Sequence, residues 1–286
     1  MHWERIENIV GNRRGVRFPI LPCQEQFFGM FNQAPQLITY DELMHETFED
    51  MAHPFHQYFD NTEEVCGADI LAYYLPFHGN DEWGIYILDA GVDALAMHLM
   101  GIAENQRLDL SRPDAEYLAK HKLLLHELGH HAVEIVHTLI ELDPNNPVTG
   151  SYRATRLLGR QAQRIHDNEE AVCNWNVKRN KHKFKIRALN YFDPIKDFML
   201  FRQPRGYSRF DEIHKRNFLE NVIDTGFTGV LPPATISDLE EEFSRHSKLS
   251  RVKPRSAIGW NNPIGFVVPI YLIRTNEHDL RRNNRR

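Results

Sequence analysis

The amino-acid sequence predicts an α+β fold, mainly helical, on three observations. Apolar residues recur at helical spacing over long stretches, above all between Ser111 and the break at DPNNPVTG. Two short β-branched and aromatic runs, DILAYYLPFH and WGIYIL, are joined by the turn-like GNDE, which makes a small sheet. The 286 residues, 42% of them hydrophobic, can bury a sizeable core, and no apolar run approaches the roughly 20 residues that span a bilayer.

The elements follow in order. In residues 1–66, Leu43, Phe48, Met51 and Phe55 recur at helical spacing within TYDELMHETFEDMAHPFHQYF, which predicts an N-terminal helical layer. The two strands come next, then a helix over AGVDALAMHLMGIA. Ser111 can cap the following helix, with Pro113 in its first turn and Asp114 as the box-like partner. Leu118, Leu124, Leu125, Leu128, Ala132, Ile135, Val136 and Leu139 give that helix a wide apolar face, and two prolines and a glycine end it. A further helix is expected over about residues 151–178, with shorter ones near 194–202, 210–223 and 235–246. GFVVPIYLIRT reads as a peripheral strand, because Pro269 cannot donate to a ladder. The chain is thus expected to form one domain: layer 1–66, core 67–190, and C-terminal helices with a strand over 191–286, ending in a basic tail from 279.

Composition narrows the function classes. Three widely spaced cysteines without C-x-x-C spacing argue against a zinc ribbon or dithiol site, and the N-terminal residues lack the order of a secretory signal, so a cytoplasmic location is expected. Residues 1–106 carry 17 Asp/Glu against four Arg and no Lys, although the whole chain is only −5, so its two parts are expected to attract. The basic run KRNKHKFKIR, residues 178–187, reads as a protected strand edge, or as a patch for an acidic partner or nucleic acid.

The chemistry lies in LLLHELGHHAVEIVH. His126 and His130 are one helical turn apart, about 40° and roughly 6 Å, so two imidazoles can share one ion. Glu127, about 100° around from His126, can reach a metal-held water without being a ligand. A buried, unpaired His-Glu-His group after three leucines would be costly, which favours a metal site over a structural network. Zinc takes such imidazoles together with a third protein ligand. Val133 and Val136 exclude the H-E-x-x-H-x-x-G-x-x-H solution, so another helix must supply it. HDNEEAVCNW offers Glu170, Glu169, His166 or Asp167, and Asn174, one turn after Glu170, can hydrogen-bond a ligand imidazole. Tyr207 and Tyr152 are candidate hydroxyl donors to a developing oxyanion, and WGIYIL is a candidate strand for pairing with an extended substrate. His131 points elsewhere and is expected at the surface or behind the ligands, and Cys173 reads as a small buried thiol.

HELGH after a leucine run, followed by a helix reading E-A-V-C-N, resembles the gluzincin branch of the zincin metallopeptidases, and within it the ImmA/IrrE-type peptidases, whose signature pairs HExxH with an E-x-x-A-N helix. Cys173 stands where that signature has alanine. The resemblance implies a zincin-like core with Zn2+ on His126, His130 and Glu170, followed by Asn174, with Glu127 as general base. It implies an intracellular peptidase cutting a peptide bond in a restricted protein substrate, in a regulatory or defence-related role. The alternative is a zincin-fold regulator or toxin-like protein that acts by contact.

Overall fold

The structure is a computed structural model that describes residues 35–48, 71–77, 83–142, 160–181, 191–203, 205–213 and 268–274, with the side chains of 138–142, 160–166 and 205 outside that description. The expected helices beyond residue 213, the basic tail, residues 182–187 of the basic run and Tyr152 also fall outside it.

Among the described residues the fold is mainly helical with one small mixed sheet. The elements are β1 (Gln36–Ile38), α1 (Tyr40–His45), β2 (Ala72–Leu75), β3 (Gly84–Leu88), α2 (Asp89–Asn105), α3 (Arg112–Leu142), α4 (Arg160–Arg179), α5 (Phe192–Phe201), α6 (Arg205–Ser208), α7 (Phe210–Ile213) and β4 (Ile270–Ile273).

α3, 31 residues long, is the axis. The Ser111 hydroxyl donates to the Asp114 carboxylate at 2.6 Å and faces the Asp114 amide at 3.4 Å, the expected start signal. Arg112 ties that end to Glu116, one turn on, and to Asp93 of α2. Leu118, Leu123, Leu124, Leu125, Leu128, Ile135 and Val136 are buried in one continuous core with α2, α4, α5 and the sheet. Each such aliphatic side chain contributes about 1.5–3 kcal/mol on burial, so α3 is held by packing on several sides. No helix among the described residues is long and apolar enough to cross a membrane.

The sheet runs β1-β4-β3-β2. The expected pair is present: β2 and β3 are antiparallel, Ala72 opposite Ile87 and Leu75 opposite Gly84. One face puts Ala72, Ile85, Ile87, Ile270 and Leu272 into the helical core. The other stacks Tyr73 on Tyr86 (4.9 Å between ring centroids) and Tyr86 on Tyr271 (4.6 Å), a cross-strand row of aromatic rings.

Three expectations are corrected. β4 is an inner strand, parallel to β3 and antiparallel to β1. Pro269 does not block it, because Pro269 precedes the strand and contributes only its carbonyl, which accepts from the Ile85 amide at 2.9 Å. The layer assigned to residues 1–66 contains a strand, β1. Its helix, capped by a Thr39–Glu42 box, stops at His45, where Glu46 turns to extended backbone. The Lys120 ammonium donates to the Glu46 carbonyl there and lies 4.8 Å from the centre of the Phe48 ring, so Phe48 packs on α3 without continuing the helix.

Candidate metal centre

α4 lies against α3 at the level of the motif, and the glycine of HELGH permits it. A Cβ on Gly129 would fall 2.8 Å from Cys173 Cα and Sγ and 3.0 Å from Cys173 Cβ, closer than carbon atoms pack, so any larger residue would drive the helices apart. This contact sets the face of α4 bearing Glu170 and Asn174 opposite His126 and His130.

The donors then converge. His126 Nε2 is 3.0 Å from Glu170 Oε2, and His130 Nε2 is 3.5 Å from the same oxygen. The outward nitrogens are held from behind: His126 Nδ1 donates to Asn174 Oδ1 at 2.9 Å, and His130 Nδ1 donates to Glu169 Oε1 at 2.7 Å. Asn174 Nδ2 donates to Gln203 Oε1 at 2.8 Å and to the Tyr207 carbonyl at 3.0 Å, which leaves its oxygen for the imidazole. Each imidazole thus spends its Nδ1 hydrogen on a supporting group and turns Nε2 inward, as ligand histidines do. All of these side chains except His130 and Gln203 are almost fully buried, and His130 is 8% exposed.

The chain matches no family model, no curated protein and no solved structure.

The fit of a cation rests on the donor set. With Nδ1 donating to Asn174, neutral His126 presents a bare Nε2 lone pair to a carboxylate oxygen 3.0 Å away. Two acceptors facing each other in a dry interior repel unless a cation lies between them. Burial, with Lys122 one turn earlier, lowers the His126 pKa to about 4 against the pull of Glu170, so the His126 ring does not itself hold a second proton. Burial opposes a proton on His130 too, but contact with Cys173 and the carboxylates of Glu170 and Glu169 outweighs it and raises His130 well above the ordinary value.

Cys173 joins the group. Its Sγ and the nitrogens of His126 and His130 lie within 4.8 Å of one another, a buried set that can hold a metal ion. Burial pushes the thiol up to about 12 although His130 opposes it, and a coordinating metal would deprotonate it. The thiol is buried as expected, but at the site, and the sequence signal for that is its position one turn after Glu169 and Glu170, facing the only small residue of HELGH.

The structure brings His126, His130, Glu170 and Asn174 together, and Glu127 is buried on α3. Glu169, the rival ligand, sits behind His130. Asp167 packs against Gly206, and the side chain of His166 is outside the described residues. Tyr207 is buried with its ring stacked on His126, centroids 5.6 Å apart and planes 13° apart.

Two further corrections concern the sheet side. His131 is fully buried, not superficial: Trp83 stacks on it, and its Nδ1 is 2.7 Å from the Tyr74 hydroxyl, which donates to Glu134 Oε2 at 2.5 Å. Since that hydroxyl has one hydrogen, His131 Nδ1 is the donor to it. Burial lowers the His131 pKa to about 3, so the ring is neutral. The Phe77 amide also donates to Glu134, at 3.1 Å, so the network bolts β2 to α3. β3, the WGIYIL strand, has partners on both sides and offers no open edge to a substrate.

Proposed function

We propose that the protein is a zinc-dependent peptide hydrolase that cuts a restricted protein substrate. One observation carries this: two Nε2 atoms from α3 and one carboxylate oxygen from α4 meet within 3.0 and 3.5 Å, each imidazole braced at Nδ1 by its own partner. His126, His130 and Glu170 would hold the ion, which when bound supplies a Lewis acid that polarises a carbonyl and lowers the pKa of water.

The remaining work falls to the chain's own residues. Glu127 takes a proton from the attacking water and delivers it to the amine as the carbon–nitrogen bond breaks, general acid–base work that contributes about 10²–10⁴-fold. Asn174 and Glu169 keep the imidazoles in the tautomer that leaves Nε2 free. Tyr207, against His126, is the candidate hydroxyl donor to the carbonyl oxygen. β2 is an outer strand among the described residues and packs against α3, so an extended substrate would pair there by backbone hydrogen bonds.

The proximity of Cys173 favours a second ligand set, His126, His130 and Cys173. The experiment is zinc content and proteome-wide cleavage for wild type and Glu127→Gln. The proposal expects equal zinc in both and cleavage by the wild type alone. Zinc without cleavage, with the biological effect intact in Glu127→Gln, would mean a regulator acting by contact.

A further inference from the structure

An asparagine amide can face an imidazole with either end. With Oδ1 toward His126, the ring carries its hydrogen on Nδ1 and has Nε2 free for a metal. With Nδ2 toward it, the hydrogen moves to Nε2 and the ring cannot coordinate there. What orients Asn174 therefore decides whether His126 is a ligand.

Two groups outside α4 do so. Gln203, just beyond α5, accepts from Asn174 Nδ2 at 2.8 Å, and the main-chain carbonyl of Tyr207 in α6 accepts from the same nitrogen at 3.0 Å. A peptide carbonyl cannot become a donor, so the Tyr207 carbonyl draws Nδ2 toward itself, and Gln203 adds the second acceptor that holds the amide in that orientation. The carbonyl reaches Asn174 because α6 approaches α4 at Gly206, where a Cβ would lie 2.8 Å from Asp167 Cα and 3.0 Å from its Oδ1. The Tyr207 ring, flat against His126, fixes the plane of the same imidazole.

We propose that Gln203 and the Tyr207 carbonyl are positioning groups for the metal site: acting through Asn174, they select the Nδ1–H tautomer of His126 and so prepare it to bind a divalent ion. The inference rests on the metal-site reading above. Gln203 acts through Asn174, whose Nδ2 it accepts from. It turns a neutral amide into an oriented one, and its contribution is read in metal affinity before any peptide is present.

The test compares wild type, Gln203→Met, which has similar length and no strong acceptor, and Gln203→Glu, which keeps an acceptor for Asn174 Nδ2. Zinc affinity is measured by competition with a chelator, and the His126 tautomer by 15N NMR on the metal-free protein. Gln203→Met should weaken zinc binding about tenfold, the low end for loss of a supporting partner. Gln203→Glu should stay within about threefold of wild type, because the retained acceptor preserves the bond. Wild-type His126 should carry its hydrogen on Nδ1, and Gln203→Met should populate the Nε2–H form. Equal zinc affinity in wild type and Gln203→Met, or an Nε2–H tautomer in the wild type, overturns the inference. An Nε2–H tautomer in the wild-type spectrum overturns the inference even if Gln203→Met does not fold. Absence of zinc binding by the wild type, with the Nδ1–H tautomer in place, removes the metal-site reading instead.

Discussion

Replacing Gly129 by alanine sets two effects of known size against each other. Alanine in a helix interior is favoured over glycine by about 1 kcal/mol. The added methyl, however, would sit 2.8 Å from Cys173 Cα and Sγ, about 0.7 Å inside the roughly 3.5 Å at which carbon atoms pack well. Because one of those atoms is α4 backbone, rotating a side chain cannot relieve the contact, and the helices must separate. Overpacking of this kind costs about 1–3 kcal/mol, so the net loss of stability is about 0–2 kcal/mol. The site suffers more, since metal–ligand distances tolerate only about 0.2 Å. Zinc affinity should fall at least about tenfold, as when a ligand's support is lost. Urea unfolding and chelator competition on the same preparation separate the two effects. A Gly129→Ala protein that is about 1 kcal/mol more stable, the bare propensity gain, and binds zinc as tightly as wild type would refute the reasoning.

Other outcomes follow from single contacts. Asn174→Leu removes the acceptor behind His126 and should weaken zinc binding about 10–100-fold, measured by the same competition. Tyr74→Phe deletes the hydroxyl that joins His131 to Glu134; loss of a hydrogen bond to a charged group should cost about 1.5–3 kcal/mol in urea unfolding. Burial lowers the Lys120 pKa from 10.5 to about 8. Below 8 both folded and unfolded chains hold that proton and the burial penalty is complete. Between 8 and 10.5 the folded chain releases it first, so the wild type should gain stability relative to Lys120→Met as pH rises through that window. A stability difference that stays flat from pH 7 to 10 would count against the buried ammonium.

The parts of the molecule legible in the sequence are those set by local chemistry. Ser111 with Asp114 marks the start of α3, the β-branched and aromatic runs joined by GNDE give the β2–β3 pair, and the four-residue spacings of His126 with His130 and Glu170 with Asn174 place candidate ligand and support on shared faces. The parts that were not legible depend on distant segments. β4 takes its inner place from β1 and β3, well over a hundred residues away, and Pro269, read as a barrier, lies one residue before the ladder. The burial of His131 depends on Trp83 and Tyr74, which no helical periodicity reports. Gln203 and the Tyr207 carbonyl act through main-chain and amide geometry, for which sequence has no signature. Cys173 is buried, as a small thiol on this helix is expected to be, but only its opposition to Gly129 places it at the site.

Whether His126, His130 and Glu170 hold a divalent cation is tested most directly by zinc stoichiometry and cobalt absorption spectra of wild type, Glu170→Gln and Cys173→Ser. The account predicts a stoichiometric ion in wild type and Cys173→Ser, its loss in Glu170→Gln, and a cobalt spectrum without thiolate charge transfer. No ion in the wild type, or an ion that survives Glu170→Gln and is lost in Cys173→Ser, would contradict it.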